Sequence, residues 1–122
     1  MVKTYKAQCN ACDESYTVNY GSKNKRKIIY ETYSCPQCNN LFSLSNNDNF
    51  KCPTCENTNL IRYNMNKEEN MAYYKRMYDE QLLPQKKYDE IMEFWETVKS
   101  DECPKCGKHE LVWSLIEEQK IQ

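Results

Sequence analysis

Every cysteine of this sequence belongs to one of four C-x-x-C pairs, and no thiol is left over. The eight residues are Cys9, Cys12, Cys35, Cys38, Cys52, Cys55, Cys103 and Cys106. Both thiolates of such a pair project from one tight turn, a knuckle, and can occupy two corners of a tetrahedron around zinc, with sulfur about 2.3 Å from the metal. Two knuckles complete one tetrahedron. The four pairs therefore predict two structural zinc ions, each held by four cysteines, with metal binding coupled to folding and weakened by acid.

Eight cysteines would also suit a disulfide scaffold in a secreted protein. However, the first residues, MVKTYKAQC, lack the apolar stretch of a signal peptide, and no run approaches the roughly 18 apolar residues of a membrane span. We therefore expect a cytoplasmic protein, or a nuclear one if its source is a eukaryote or a virus, with no membrane partner. Thiols stay reduced in these compartments unless they bind metal or do redox chemistry, which favours the metal hypothesis.

The remaining residues do not suggest an enzyme. A thioredoxin-like redox role needs C-x-x-C at the start of a helix in a βαβ unit, and no pair is placed in that way. His109 is the only histidine, and eight cysteines already complete two tetrahedra, so we expect it at the surface or beside a thiolate. The sequence contains no P-loop, no glycine-rich phosphate cradle and no Ser-His-Asp order, and we expect no catalytic residue and no small-molecule substrate.

Short runs rich in β-branched and aromatic residues flank the pairs and predict strands. Those that follow a pair are SYTVNY, LFSLS, NLIRY and HELVWSL, and those that lead into a pair are KTYKAQC and KIIYETYSC. Their partly alternating polarity is typical of strands with one buried face. Most of the ten tyrosines are therefore expected in the core or beside the knuckles.

The segment from residue 33 to residue 63 resembles the zinc-ribbon family, in which a CPxCG knuckle, a β-hairpin and a second CPxCG knuckle lead into a last strand. CPQC, LFSL, FKCPTC and NLIRY follow this pattern, and CPKCGKHEL keeps the glycine after its second cysteine. Asp13, Asn39 and Glu56 replace that glycine in the other three pairs, so these residues are expected in a left-handed backbone conformation. The resemblance implies a small α+β zinc-bound protein with two four-cysteine, zinc-ribbon-like β-hairpin modules.

The sequence leaves open which pairs share an ion. Sequential pairing joins the first two pairs and the last two, and predicts one module over residues 1–48 and a second over 49–122. Nested pairing instead makes residues 33–63 a compact ribbon and lets the two terminal pairs form the other site. The entropy cost of closing a loop grows only logarithmically with its length, so a site formed by the two terminal pairs is not excluded. We favour sequential pairing, and crossed pairing is the least favoured of the three.

Between the third and fourth pairs the periodicity becomes helical, which predicts a helical hairpin inserted over residues 67–100. The apolar positions recur at steps of three and four, at Met71, Tyr74, Tyr78 and Leu82 and then at Tyr88, Ile91, Met92, Trp95 and Val98. Asn66 is the expected N-cap of the first helix, and Pro84 lies at the start of the second. Each helix should bury one face, against the second module or against a partner.

The segment GSKNKRK, residues 21–27, predicts a basic β-hairpin tip. It carries Lys23, Lys25, Arg26 and Lys27 with no acid among them, although the whole chain has a net charge of -1. Such a tip can contact phosphates, and the neighbouring Tyr20 is a candidate for stacking on a base.

Two functions follow as expectations. The zinc-ribbon resemblance implies a nucleic-acid-binding protein, for DNA or RNA, that serves as an accessory factor of transcription or of another nucleic-acid machine. The alternative is a protein adaptor or assembly subunit, of a virus or a defence system, that holds a larger protein complex through the helical hairpin. Tyrosine, methionine and tryptophan, which are enriched in interface cores, are frequent in that hairpin and favour the alternative.

Overall fold

We describe a computed structural model of the chain, which covers residues 2–23 and 28–119. It contains six strands, β1 (Val2–Cys9), β2 (Ser15–Lys23), β3 (Ile28–Cys35), β4 (Asn40–Ser45), β5 (Ile61–Tyr63) and β6 (Leu111–Gln119). It also contains two helices, α1 (Lys67–Asp79) and α2 (Gln85–Glu96). The predicted strands and both helices are confirmed, so the protein is a small α+β structure.

The six strands form one antiparallel sheet with the order β4-β3-β2-β1-β6, and β5 also pairs with β3. β1 is covered along its length by β2 on one side and β6 on the other. By contrast, β2 and β3 pair only where Gly21–Lys23 face Ile28–Tyr30. The sheet is thus closely paired at its β1 side and splits between β2 and β3 towards the end that carries the cysteine knuckles.

The core is small and lies at the knuckle end of the sheet. Its buried apolar members are Ala7, Val18, Leu41, Tyr63 and Leu111, and the buried cysteines Cys9 and Cys103 belong to the same cluster. Tyr63 is the largest side chain that is almost completely buried. A chain of this length buries only about two-thirds of its unfolded surface, and here cysteines make up part of the small core.

The two helices pack against each other as an antiparallel hairpin, and the rings of Tyr78 and Tyr88 stack at a centroid distance of 4.4 Å. Asn66 is the N-cap of α1, as predicted, although its side chain makes no capping hydrogen bond. Neither helix, over the described residues 67–96, has a fully buried residue. Within the helices the expected buried faces are only half-buried, because two helices that pack mainly on each other cannot cover their apolar side chains completely. Beyond the helix ends, Leu82 is exposed and Val98 is buried.

The helical hairpin leaves and rejoins the sheet at one point. The backbone N–H of Lys99 donates to Arg62 O and the N–H of Asn64 donates to Lys99 O, both at 2.9 Å. Residues 62–64 and 99 therefore hold both ends of the insertion side by side. Neither helix in the described part of the chain is long and apolar enough to cross a membrane.

Candidate metal centres

All four C-x-x-C pairs form the same turn. In each one, the backbone N–H of the residue after the second cysteine donates to the carbonyl of the first cysteine. The four bonds are Asp13 to Cys9, Asn39 to Cys35, Glu56 to Cys52 and Gly107 to Cys103, at 2.8–3.0 Å. The repeated bond brings the two sulfurs of each pair to the same side of the turn, as a metal knuckle requires.

The residue that closes each turn has a left-handed backbone. The φ angles are 63° for Asp13, 55° for Asn39, 64° for Glu56 and 76° for Gly107. This confirms the expectation that three residues other than glycine adopt the conformation normally given to glycine. Asparagine and aspartate tolerate a left-handed backbone best, so Glu56 is the least favourable of the three residue types at this position.

Exchanging residue types at this turn position should change stability in opposite directions. A Cβ added to Gly107 would meet no atom within 4 Å, so Gly107→Ala adds only backbone strain and should lower the free energy of unfolding by about 1 kcal/mol. Glu56→Gly should raise it by a few tenths of a kcal/mol to about 1 kcal/mol, since the Glu56–Lys51 ion pair that it removes is exposed and contributes little. Urea unfolding of the metal-loaded variants measures both, and shifts of the same sign would contradict the assignment.

The turns come together in two groups of four sulfurs. One, the outer cluster, contains Cys9, Cys12, Cys103 and Cys106, and the other, the inner cluster, contains Cys35, Cys38, Cys52 and Cys55. The preferred prediction of sequential pairing is therefore wrong, and the nested alternative is confirmed. The reason is sheet topology: β6 pairs with β1, which places the knuckle before β6 beside the knuckle after β1.

The distances within each cluster suit a tetrahedral metal site. The Sγ–Sγ distances are 3.6 Å for Cys9–Cys106 and 3.7 Å for Cys12–Cys103. In the inner cluster they are 3.5 Å for Cys35–Cys55 and 3.8 Å for Cys38–Cys52. A tetrahedron with metal–sulfur bonds of about 2.3 Å has edges of about 3.8 Å. A disulfide would need about 2.05 Å, and all eight cysteines are free.

The first cysteine of each knuckle is buried, and the sulfurs of Cys9, Cys35 and Cys52 accept backbone hydrogen bonds. Burial opposes ionisation, but the backbone N–H groups of Cys12 and Ala11 lower the pKa of the Cys9 thiol to about 7. At Cys52, burial is likewise outweighed by the N–H groups of the following turn, which lower the pKa to about 6. These two sulfurs are prepared to act as thiolate ligands.

The second cysteines behave in the opposite way. The hydrogen bond with Cys55 and burial raise the pKa of the Cys38 thiol to about 12. At Cys12 the backbone N–H of Glu14 favours the thiolate, but burial and the neighbouring thiols raise the pKa to about 12. The backbone N–H groups of Asn57 and Lys108 favour the thiolates of Cys55 and Cys106, but burial and neighbouring thiols still raise the pKa of both thiols. Four thiolates repel one another, so the clusters need a cation to ionise completely.

Metal affinity should therefore fall steeply as pH falls. Each cluster has two thiols with raised pKa that keep their protons at pH 7 until metal displaces them. Release of at least two protons per ion lowers the affinity by at least about 100-fold for each unit decrease in pH. The slope should steepen through about pH 7 and 6, where the Cys9 and Cys52 thiolates of the folded chain begin to take up protons. Competition with a chelating dye between pH 8 and 6 measures it, and a flat profile would contradict the thiol assignments.

His109 lies outside both clusters. Its Nδ1 is 2.8 Å from an Asp101 carboxylate oxygen, and both side chains are exposed. The hydrogen bond to Asp101 and its negative charge raise the pKa of the imidazole. The structure thus places the histidine in a surface pair, apart from the sulfurs that are the candidate metal ligands.

The predicted nucleic-acid residues are only partly described. Lys25, Arg26 and Lys27 lie outside the described residues, as does the side chain of Lys23, whose backbone ends β2. The described residues on either side of this segment, Gly21–Lys23 and Ile28–Tyr30, pair with each other. The Tyr20 hydroxyl accepts a hydrogen bond from Asn64 Nδ2 at 3.4 Å.

Sequence reasoning missed two asparagines beside the inner cluster. Asn57 Nδ2 donates to Cys35 Sγ at 3.5 Å, and Asn40 Nδ2 lies 3.9 Å from Cys52 Sγ. Each asparagine stands two positions after the second cysteine of its knuckle, and this shared spacing was the available signal.

No family model, no curated protein and no solved structure matches the chain. The zinc-ribbon resemblance therefore rests on the C-x-x-C spacing and on the geometry of the four knuckles.

Proposed function

We propose that the protein binds two structural zinc ions, one in the outer and one in the inner cluster, as a pair of zinc-ribbon-like sites on one sheet. The observation that carries this proposal is the pair of four-sulfur groups with tetrahedral spacing. All-sulfur sites are typical of structural zinc, and four sulfurs leave no open position for substrate. We therefore propose a scaffold and not an enzyme.

We further propose that this scaffold binds nucleic acid through its basic hairpin tip, as an accessory factor of transcription or of another nucleic-acid machine. The support is topological. β1 and β3 run towards the knuckles and β2 runs away from one, so the paired ends of β2 and β3 that flank residues 24–27 lie at the opposite end of the sheet from the clusters. Strands of eight residues separate them by roughly 25 Å. The ions would stiffen one end while the other end contacts phosphates.

Lys3 extends the basic character of the tip onto the sheet. It faces Tyr20 across the β1–β2 ladder, one position from the pair Val2–Gly21. A cation beside an aromatic ring at the base of a basic turn is a combination that binds a phosphate and its attached base. This placement supports Tyr20 as the stacking residue of the proposed site.

Charge reversal tests the proposed interface. Fluorescence anisotropy of labelled single-stranded DNA, duplex DNA and RNA with zinc-loaded protein should show binding that decreases steeply with salt. Replacing Lys23, Lys25, Arg26 and Lys27 by glutamate should abolish it, because the phosphate contacts are removed.

The matched control reverses four basic residues of the helical hairpin, Lys75, Arg76, Lys86 and Lys87, which changes the net charge equally. Binding should survive this change. Equal loss in both variants would indicate a response to total charge, and no binding to any of the three nucleic acids would remove the proposal.

The helical hairpin favours a second candidate function, that of an adaptor holding a protein partner. Its exposed apolar side chains include Tyr73, Leu82 and Phe94, which are 52%, 67% and 47% exposed. Because both ends of the insertion are tied at Arg62, Asn64 and Lys99, the hairpin can be altered without disturbing the sheet. This arrangement is suited to presenting a contact surface.

Replacing Tyr73 and Leu82 by serine tests the adaptor function. A stable partner recovered with the zinc-loaded wild-type chain should be lost from this variant and retained by the charge-reversed tip variant. A chain that remains monomeric and recovers no partner would count against the adaptor.

A further inference from the structure

One equivalent position of the four knuckles lies two residues after the second cysteine. This position is occupied by Glu14, Asn40, Asn57 and Lys108. The carbonyls of Glu14, Asn57 and Lys108 accept the backbone N–H of the first cysteine of the same knuckle at 2.8–2.9 Å. The residue at this position therefore lies beside the first cysteine of its knuckle, and its side chain differs between the two clusters.

In the inner cluster both side chains are asparagines that reach the opposite knuckle. Asn57 Nδ2 donates to Cys35 Sγ at 3.5 Å, 22 residues earlier in the chain. Reciprocally, Asn40 Nδ2 approaches Cys52 Sγ at 3.9 Å. The two amides thus connect the knuckles in both directions.

The orientation of each amide is determined by a backbone donor. Asn57 Oδ1 accepts the N–H of Asn59 at 3.1 Å, and Asn40 Oδ1 accepts the N–H of Cys35 at 3.3 Å. A backbone N–H can only donate, so it selects the amide oxygen. The amide nitrogen of each asparagine is consequently left facing sulfur.

The outer cluster has no equivalent donors at these positions. The Glu14 carboxylate can only accept hydrogen bonds when ionised, and it pairs with Lys105 Nζ at 2.6 Å. Lys108 is exposed. Burial and the nearby Cys103 raise the pKa of the Tyr16 hydroxyl to about 12, so this hydroxyl stays protonated near that sulfur. Within residues 2–23 and 28–119, the side-chain amides that donate to cysteine sulfur belong to the inner cluster.

Hydrogen bonds to a ligand orient it and offset the negative charge that four thiolates bring to one ion. We infer that Asn57, supported by Asn40, is a positioning residue that makes the inner cluster the tighter and more slowly releasing metal site. The inference rests on the proposed binding of two ions. Its consequence is an order of release: the outer cluster loses its ion first and frees the knuckles of β1 and β6, while the inner cluster stays closed.

Cadmium-113 NMR can test this order on the full chain loaded with two cadmium ions, which replace zinc at all-sulfur sites. Two resonances are expected, and a chelator should remove the outer one first. A scalar correlation should connect the Asn57 side-chain amide proton with the inner cadmium, because the N–H···S bond lies next to the metal–sulfur bond. This correlation is measured in the wild-type chain and does not depend on any variant folding.

Asn57→Ala should then accelerate release from the inner site and weaken its affinity by about 10- to 100-fold, with the outer site unchanged. Asn57→Asp keeps the shape but removes the donor, so it should act in the same direction. Asn59→Ala is the matched control, since its backbone N–H remains while an exposed asparagine side chain is removed two positions away. It should leave both sites unchanged.

The outcomes separate this inference from the proposed function. If fewer than two ions bind the wild-type chain, the two-site proposal is wrong. If two ions bind but leave together, if the outer site retains its ion longer, or if the amide correlation is absent and Asn57→Ala changes nothing, the two-site proposal stands and the role of Asn57 is overturned.

Discussion

Removing the metal from the zinc-loaded protein with a chelator should unfold the chain. Structural zinc sites in small domains contribute an apparent 10–16 kcal/mol, whereas whole domains are stable by only about 5–15 kcal/mol. Here four cysteines, Cys9, Cys35, Cys52 and Cys103, are themselves among the buried residues. Without an ion, the ionised sulfurs of each cluster would repel one another and no cation would balance their negative charge. The expected result is loss of amide protection across β1, β2 and β6 by hydrogen exchange, reversed by adding zinc.

Single cysteine variants show how much each cluster contributes to the stability of the sheet. Cys103→Ser and Cys52→Ser should each reduce the bound metal from two ions to one, measured by elemental analysis. The outer variant should loosen β6 and the start of β1, since Cys12 and Cys103 close a separation of 91 residues. The inner variant should act on β3 and β4, where Cys38 and Cys52 are 14 residues apart. Chelated protein that keeps full amide protection would show that the sheet does not need the ions.

Tyr63→Ala should be the most destabilising change outside the cysteines. Tyr63 is the largest almost completely buried side chain, at 2% exposure, and its hydroxyl donates to Glu102 O at 2.6 Å. Burial raises the pKa of this hydroxyl, so it remains a donor at neutral pH. Removing the ring leaves a cavity at the core and an unpaired carbonyl beside Cys103. We expect a loss of about 3–5 kcal/mol in the free energy of unfolding of the zinc-loaded chain, measured with urea.

Two further variants divide this loss into its parts. Tyr63→Phe keeps the ring and removes only the hydrogen bond, so it should cost about 1–2 kcal/mol. Tyr73→Ala removes a tyrosine that is 52% exposed and should change stability by no more than about 0.5 kcal/mol. A Tyr63→Ala variant as stable as Tyr73→Ala would show that the core is not centred on Tyr63.

Local features of the fold were predictable because their causes are local. Runs of β-branched and aromatic residues identify all six described strands, and three- and four-residue periodicity identifies α1 and α2. The left-handed turn residues were also predictable, since Asp13, Asn39 and Glu56 stand where a knuckle normally has glycine. All of these depend on residues within a few positions of one another.

Long-range features were not predictable in the same way. The preference for sequential pairing failed because C-x-x-C spacing is the same in every knuckle and contains no information about its partner. Likewise, the helical pattern predicts apolar faces but not what covers them, and in the structure α1 and α2 mainly cover each other.

The sequence by itself determined the candidate metal ligands, the knuckle turns and the order of strands and helices, because thiol chemistry and backbone preference act over short spans of chain. Only the tertiary structure decided which knuckles meet. The pairing of β6 with β1 carries Cys103 and Cys106 back to Cys9 and Cys12, and the pairing of β5 with β3 brings the third knuckle to the second. The same step placed Asn57 against Cys35. These contacts form when strands far apart in sequence pair. One loss of chain entropy then brings many residues together, and the register of the paired strands determines which residues meet.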